Sequence, residues 1–525
     1  MTASLADRAL NRVLAFSDRT GFLADKLNRL LINRIVAVAR ARPHPLSTVH
    51  GYSSWRGLTD RRYSARHLPA HEPPDAPEIE ALVELFRRPE GPPRLCPKST
   101  LLFPAFAQYL TDGFIRTDTD EAISDRLMRN TSNHDIDLCP LYGRTAEQTD
   151  ALRTRSEAVH ARGRLRSQMI GGEEYAPFLY RDGRIDPQFE VLDRPLGLRS
   201  PGGPDDPEGP DPARRDALFA FGGDRANSVP QVAMMNTLLL REHNRLAGEI
   251  AAAKPSWDDD RVFETARNAL IVIFIKIVVE EYINHIAPLP FRLRADPRVV
   301  WKAPWNRTNW ITTEFSLLYR WHALMPDAVE WGGESYPIQR LFMNNRPLIE
   351  AGLQASAAGL SAQRAGEIGP QNTAAPLLHI EAASIAQGRA CRLASYARYR
   401  AYVGLGRPER FEDISSRPGV ADLLAKLYRR PQDVEFFVGI FCEDRVADAP
   451  LPALILRMVA LDAFSQALTN PLLSEHVFNE DTFSAIGWRA IQETACLGDL
   501  VRRNVPNPDP SLRIAMTRAE WRRET

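Results

Sequence analysis

Helical periodicity is the feature that most limits what this chain can fold into. Apolar residues recur at three- and four-residue spacing over 230–253, 258–287, 309–324, 378–404, 419–428 and 452–469. The period-two alternation of half-buried strands is scarce. A chain patterned in this way must bury helix stripes against other helices, so a mainly α fold is predicted. Length alone, 525 residues, would suit several average domains. No internal repeat divides the chain. Residues 70–100 are rich in proline and predict irregular structure. Residues 198–214 and 352–376, rich in Gly, Pro, Ala and Ser, read as exposed loops.

Composition removes several classes of function. Lys plus Arg (66) equals Asp plus Glu (66), a formal net charge of zero. No global electrostatic case for nucleic acid survives that balance. The cysteines, Cys96, Cys139, Cys391, Cys442 and Cys496, are odd in number, scattered and without metal spacing. They are not a disulfide framework, and a reducing compartment suits them. The N-terminal residues lack the apolar run of a signal peptide. The longest apolar window, Ala269 to Val279, is too short for a bilayer and contains Lys276. A cytoplasmic protein, soluble or peripheral on a membrane, is expected. Residues 1–42 look like amphipathic helices, with Leu23, Leu27, Leu30, Leu31, Ile35, Val36 and Val38 near helical spacing and basic residues between them. That face either meets a membrane or packs on its own domain, which would occupy residues 43–525.

One motif carries chemistry. In Glu314–Asp327 (EFSLLYRWHALMPD), Tyr319 precedes His322 by three residues. On a helix that spacing puts both rings on one face. Alone, Tyr-x-x-His is more often core packing than a site. Its context, however, resembles the proximal-haem segment of the cyclooxygenase branch of the animal-type haem peroxidase superfamily. Other segments resemble the same branch: Tyr52–Pro69 (YSSWRGLTDRRYSARHLP), Leu102–Thr117 (LFPAFAQYLTDGFIRT), Asp135–Gly143 (DIDLCPLYG), Leu238–Ala247 (LLLREHNRLA), Ile275–Pro297 and Met458–Ser484. The resemblance runs from about Pro43 to Asn507. It implies a single large helical domain binding haem b, with His322 as proximal iron ligand and Tyr319 as the residue that carries an oxidising radical. The acceptor for the second nitrogen of His322 is not identified by the sequence. His243 tempts as a ligand, but the resemblance gives its helix a structural role, its charged residues paired in a buried network.

On the distal side the family places Gln-x-x-x-His. Here the register reads Gln108-Tyr109-Leu110-Thr111-Asp112, with aspartate in place of histidine. A carboxyl with a pKa near ~3.9 is a poor proton donor at neutral pH unless burial raises it. Asp112 is either the acid–base group for peroxide or a carboxylate tied to a loop amide or cation. Arg225 lies one residue off the register of the distal arginine of the secretory peroxidases and reads more readily as a surface or ion-pair arginine.

For the substrate, the resemblance implies that Tyr282 neighbours Tyr319, that Ile283, Ile286 and Ala287 line a channel, that Leu289 replaces a channel-mouth tyrosine, and that Ser465 matches the acetylatable serine. Arg40 or Arg42 would bind a carboxylate, while Val459 replaces the glutamate that pairs with such an arginine. Three readings stay open. The first is a dioxygenase that oxidises an unsaturated fatty acid or similar apolar molecule through a Tyr319 radical and O2. The second is a peroxidase or peroxygenase using Asp112 on another small molecule. The third is a haem-binding sensor or scaffold without turnover. A homodimer is a possible assembly.

Overall fold

The computed structural model describes residues 21–37, 59–71, 76–196 and 212–523. Helices dominate and pack into one large body, while the strands described form four two-stranded antiparallel pairs. The elements used below are α1 (Gly21–Ala37), β1 (Leu95–Thr100), α2 (Leu102–Asp112), α3 (Pro230–Ala253), α4 (Asp259–Ile277), α5 (Thr313–Leu318), β2 (Arg364–Gly366), α6 (Leu378–Ala390), α7 (Tyr396–Tyr402), α8 (Ala453–Leu468), α9 (Glu480–Glu493) and α10 (Leu497–Arg503).

The centre is built on α3 and α4. Pro230 opens α3 at the first helical position, where its missing N–H costs nothing. Asp258 caps α4 by accepting from the Arg261 amide at 2.7 Å, and Asp259 and Asp260 complement the helix dipole in the first turn. α3 is buried on nearly every face, so its polar residues must be paired. Glu242 takes Arg245 and Arg503, each at 2.8 Å, and Arg241 meets Glu173 at 2.7 Å. Both ring nitrogens of His243 are engaged, with the Tyr142 hydroxyl at 2.8 Å and the Gly163 carbonyl at 2.9 Å. Burial pulls its pKa down to about 3. This histidine is structural, as the expected buried network requires.

α4 continues into a π-helical segment, Val278–Ile283, before Asn284–Ile286. The wider turn re-aims the side chains that follow, a device common at functional sites. Tyr282 and Ile283 sit on it.

β1 runs straight into α2 and pairs antiparallel with β2, Leu95 opposite Gly366. Gly366 in turn lies against the segment after Tyr319: a Cβ there would stand 2.1 Å from the Ala323 carbonyl oxygen. This small ladder therefore holds α2 against the turn that carries His322.

Four expectations need correction. The helix predicted over 309–324 is confined to α5; Tyr319 leaves helical geometry and His322 opens a separate 3-10 turn, His322–Leu324. The stretch 378–404 is two helices, α6 and α7, with Arg392 at positive φ between them. Residues 352–376 contain a helix, Leu353–Ala362, and β2, and residues 70–100 contain a short helix, Ile79–Val83, and β1. In each case tertiary packing overrides a local composition signal. No helix among the described residues is long and apolar enough to cross a membrane. All five cysteines are free.

Candidate active site

Two faces converge between α2 and the turn after α5. Thr312 caps α5 by accepting from the Phe315 amide at 3.0 Å. The helix stops where Trp321 turns inward. Its ring lies 4.7 Å from Tyr319, 5.4 Å from Phe103 and 6.4 Å from Tyr282, nearly parallel to each. Aromatic burial in an offset stack outweighs two more helical hydrogen bonds. Tyr319 and His322 therefore do not share one helix face.

His322 keeps 20 % of its side-chain surface although Trp321 and Ala323 beside it are each 6 % exposed. Its Nδ1 lies 3.3 Å from Glu381 Oε1 on α6. Glu381 supplies the acceptor that the sequence did not reveal; it is 59 residues away and only the fold brings it in. With Nδ1 engaged, Nε2 is the nitrogen free to bind a metal.

The other candidate groups lie at the end of α2, whose Phe103 packs on Trp321. Gln108 Nε2 donates to Ser228 Oγ at 3.2 Å. One turn on, Asp112 is buried, and its Oδ2 has no hydrogen-bond partner among the described residues. Burial pushes its pKa up to about 7, helped by Asp224 and opposed by Arg225, Arg116 and Arg320. The C-terminal end of α2 adds a negative dipole end. The carboxyl thus reaches the range where it can accept and return a proton near neutrality. Arg225 is half-buried, 3.9 Å from Asp224, and its charge acts on Asp112. It serves both as ion-pair arginine and as a cation of this site. Asp224 also pairs with Arg116 at 2.8 Å. The loop bearing Asp224 and Arg225 is held by a backbone approach at Gly222, where a Cβ would meet the Gly143 nitrogen at 1.9 Å.

Tyr319 and Tyr282 are both buried, with neighbouring phenols; burial raises both pKa values. The two hydroxyls interact with each other, and Trp321 Nε1 has no hydrogen-bond partner among the described residues. Ile283 and Ile286 are buried beyond Tyr282. Leu289 is half-buried, and Arg523 Nη2 donates to its carbonyl at 2.7 Å, so the C-terminal segment covers the end of this element. Ser465 on α8 is buried and donates to the Asp462 carbonyl at 3.0 Å. Asp462 itself is close enough to disfavour ionised Tyr319. Its carboxylate holds His67 Nε2 at 3.0 Å through either oxygen, a buried pair the sequence did not signal. Val459 is buried in α8. Arg40 and Arg42 lie outside the described residues.

A partly accessible histidine with an anionic partner, a buried carboxyl with a raised pKa and a buried tyrosine stacked on Trp321 narrow the family. The animal haem peroxidase model matches residues 104–515. This chain belongs to the animal haem peroxidase family. It is 29 % identical to prostaglandin G/H synthase 2 of Bos taurus over 501 residues, covering 91 % of this chain and 77 % of that one. It is 29 % identical to prostaglandin G/H synthase 1 of Rattus norvegicus over 511 residues, 93 % and 79 % covered. The fold is that of fatty acid alpha-dioxygenase from Oryza sativa, TM-score 0.69 at 16 % identity, covering 99 % of this chain and all (100 %) of that one. It is also that of peroxidase A from Dictyostelium discoideum, TM-score 0.67 at 17 % identity, with 87 % and 95 % covered. As a member of this family the protein is a haem-dependent oxidoreductase. The residues present fit that cofactor: a partly accessible imidazole with one nitrogen already satisfied, and a buried carboxyl oxygen on α2 that lacks a partner among the described residues.

Proposed function

We propose that this protein is a dioxygenase that uses haem b to oxidise an unsaturated fatty acid, or an apolar molecule like it, to a hydroperoxide. The observation that carries the reading is the buried Tyr319, three residues before His322, its ring stacked on Trp321 and its phenol beside Tyr282. His322 Nε2 would hold the iron, and bound haem supplies one-electron oxidation at the expense of a hydroperoxide. Tyr319 gives up one electron and its phenolic proton. The resulting phenoxyl oxygen takes a hydrogen atom from a weak C–H bond, such as a bis-allylic methylene. Molecular oxygen adds to the carbon radical. The peroxyl radical then takes a hydrogen atom from Tyr319, which leaves a hydroperoxide and restores the phenoxyl. Exclusion of other acceptors from the Tyr319 hydroxyl suits a long-lived radical.

The same reading gives Ile283 and Ile286 the apolar wall, Ser465 the far side of the channel and Leu289 its mouth. Arg40 or Arg42 would take a substrate carboxylate. Residues 1–42 would form the entrance. Within them α1 packs Ala24, Ile32 and Val36 inward and leaves Phe22, Leu23 and Leu30 exposed, a face suited to peripheral contact with lipid.

The test is oxygen uptake by the haem-loaded protein given linoleic or oleic acid and a trace of hydroperoxide, beside Tyr319→Phe. Uptake that disappears in the variant, together with its tyrosyl EPR signal, supports the proposal. Absence of uptake with an intact haem spectrum refutes it. One observation favours a second reading, a peroxidase or peroxygenase: Asp112 is raised to about 7. Peroxide-driven oxidation that survives Tyr319→Phe and is lost in Asp112→Ala would select it.

A further inference from the structure

We propose that Glu381 is a positioning residue that sets the redox behaviour of the iron ligand: its carboxylate accepts the Nδ1–H of His322, presents Nε2 to the iron, and by its negative charge favours ferric over ferrous iron. The proposal rests on the assignment of His322 as iron ligand made above.

The geometry is specific. Glu381 lies on α6, 2 % exposed. Oε1 accepts from His322 Nδ1 at 3.3 Å and from Thr373 Oγ1 at 3.0 Å. Oε2 is buried without a hydrogen-bond partner among the described residues. A neutral imidazole that binds metal through one nitrogen carries its proton on the other, and an acceptor there fixes the tautomer and strengthens the donor nitrogen. A backbone carbonyl or an amide would do that much. A carboxylate adds a full charge in a poorly screened interior, where its influence on a nearby cation is large. The buried guanidinium of Arg320 is stabilised by the charges of both Glu381 and Asp112. Among the described residues, Glu381 is the hydrogen-bond partner of His322 Nδ1. Glu381 therefore performs the one task that the motif around Tyr319 and His322 leaves open.

The experiment measures the ferric/ferrous midpoint by spectroelectrochemistry and the iron–histidine stretch of the ferrous form by resonance Raman. Glu381→Gln keeps volume and acceptor but removes the charge. At a fixed potential its ferric-to-ferrous ratio should fall at least tenfold, a rise of about 59 mV in a one-electron couple, and the stretch should move to lower frequency. Thr373→Val removes the donor that competes for Oε1 and should move both quantities the other way. A midpoint and stretch unchanged in both variants would overturn the proposal. Should Glu381→Gln fail to retain haem, the Thr373→Val shift alone decides. Loss of the parent spectrum in His322→Gly, with recovery on added imidazole, verifies the ligand separately. A His322→Gly variant that keeps the parent spectrum sinks the ligand assignment and the proposal with it, whereas an unchanged midpoint and stretch beside a verified ligand sink the proposal alone.

Discussion

Asp112→Asn separates the two roles open to the distal carboxyl. In the folded protein Asp112 titrates at about 7, raised chiefly by burial; unfolded, it titrates at about 4. Below the unfolded value both states are protonated and the group contributes nothing. Between the two values the unfolded chain is ionised and the folded chain is not, so the folded state binds more protons and stability falls as pH rises. Each pH unit in that window costs about 1.4 kcal/mol. Above the folded value the cost levels off. From about pH 5 to about pH 8 the parent should therefore lose about 3 kcal/mol relative to Asp112→Asn, which has no such titration. The assay is urea unfolding of both proteins at the two pH values, taking the change in their difference so that other titrating groups cancel. A difference that stays constant with pH would mean that Arg225 and Arg116 hold the carboxylate ionised in the native state. The reasoning that makes Asp112 a proton donor near neutrality would then be wrong.

Gly366→Ala should drive a methyl group into the Ala323 carbonyl, 2.1 Å from the built Cβ. About 1–3 kcal/mol of destabilisation is expected, with weakened haem retention, read as a lower melting temperature and a smaller Soret band per protein. Ser465→Met adds bulk on α8 at the proposed channel wall; oxygen uptake with fatty acid should fall while peroxide still perturbs the haem spectrum, and uptake equal to the parent would remove Ser465 from the channel. Tyr282→Phe removes the phenol beside Tyr319, so the tyrosyl EPR signal after peroxide should change in shape while Tyr319→Phe abolishes it.

The chain's own order of residues determined a good deal. Helical periodicity set the fold class, and Pro230 and Asp258 marked where the two central helices begin, because caps and amphipathic stripes are local physics. The family resemblance around Tyr319 and His322 and around Gln108 and Asp112 pointed to the two faces of the candidate site, and the aspartate was visible as a departure from the family pattern. Its protonation was not: the shift of Asp112 depends on burial and on Asp224, Arg225, Arg116 and Arg320, which are near only after folding. The helix expected through Tyr319 failed because Trp321 finds its stacking partners on Phe103 and Tyr282, far off in sequence. Glu381, the His67–Asp462 pair and the cover that Arg523 gives Leu289 had no signal at all. Local rules report which residues can begin, end or face a helix. Which carboxylate meets which imidazole is decided by contacts between segments tens to hundreds of residues apart, and those exist only in the packed tertiary structure.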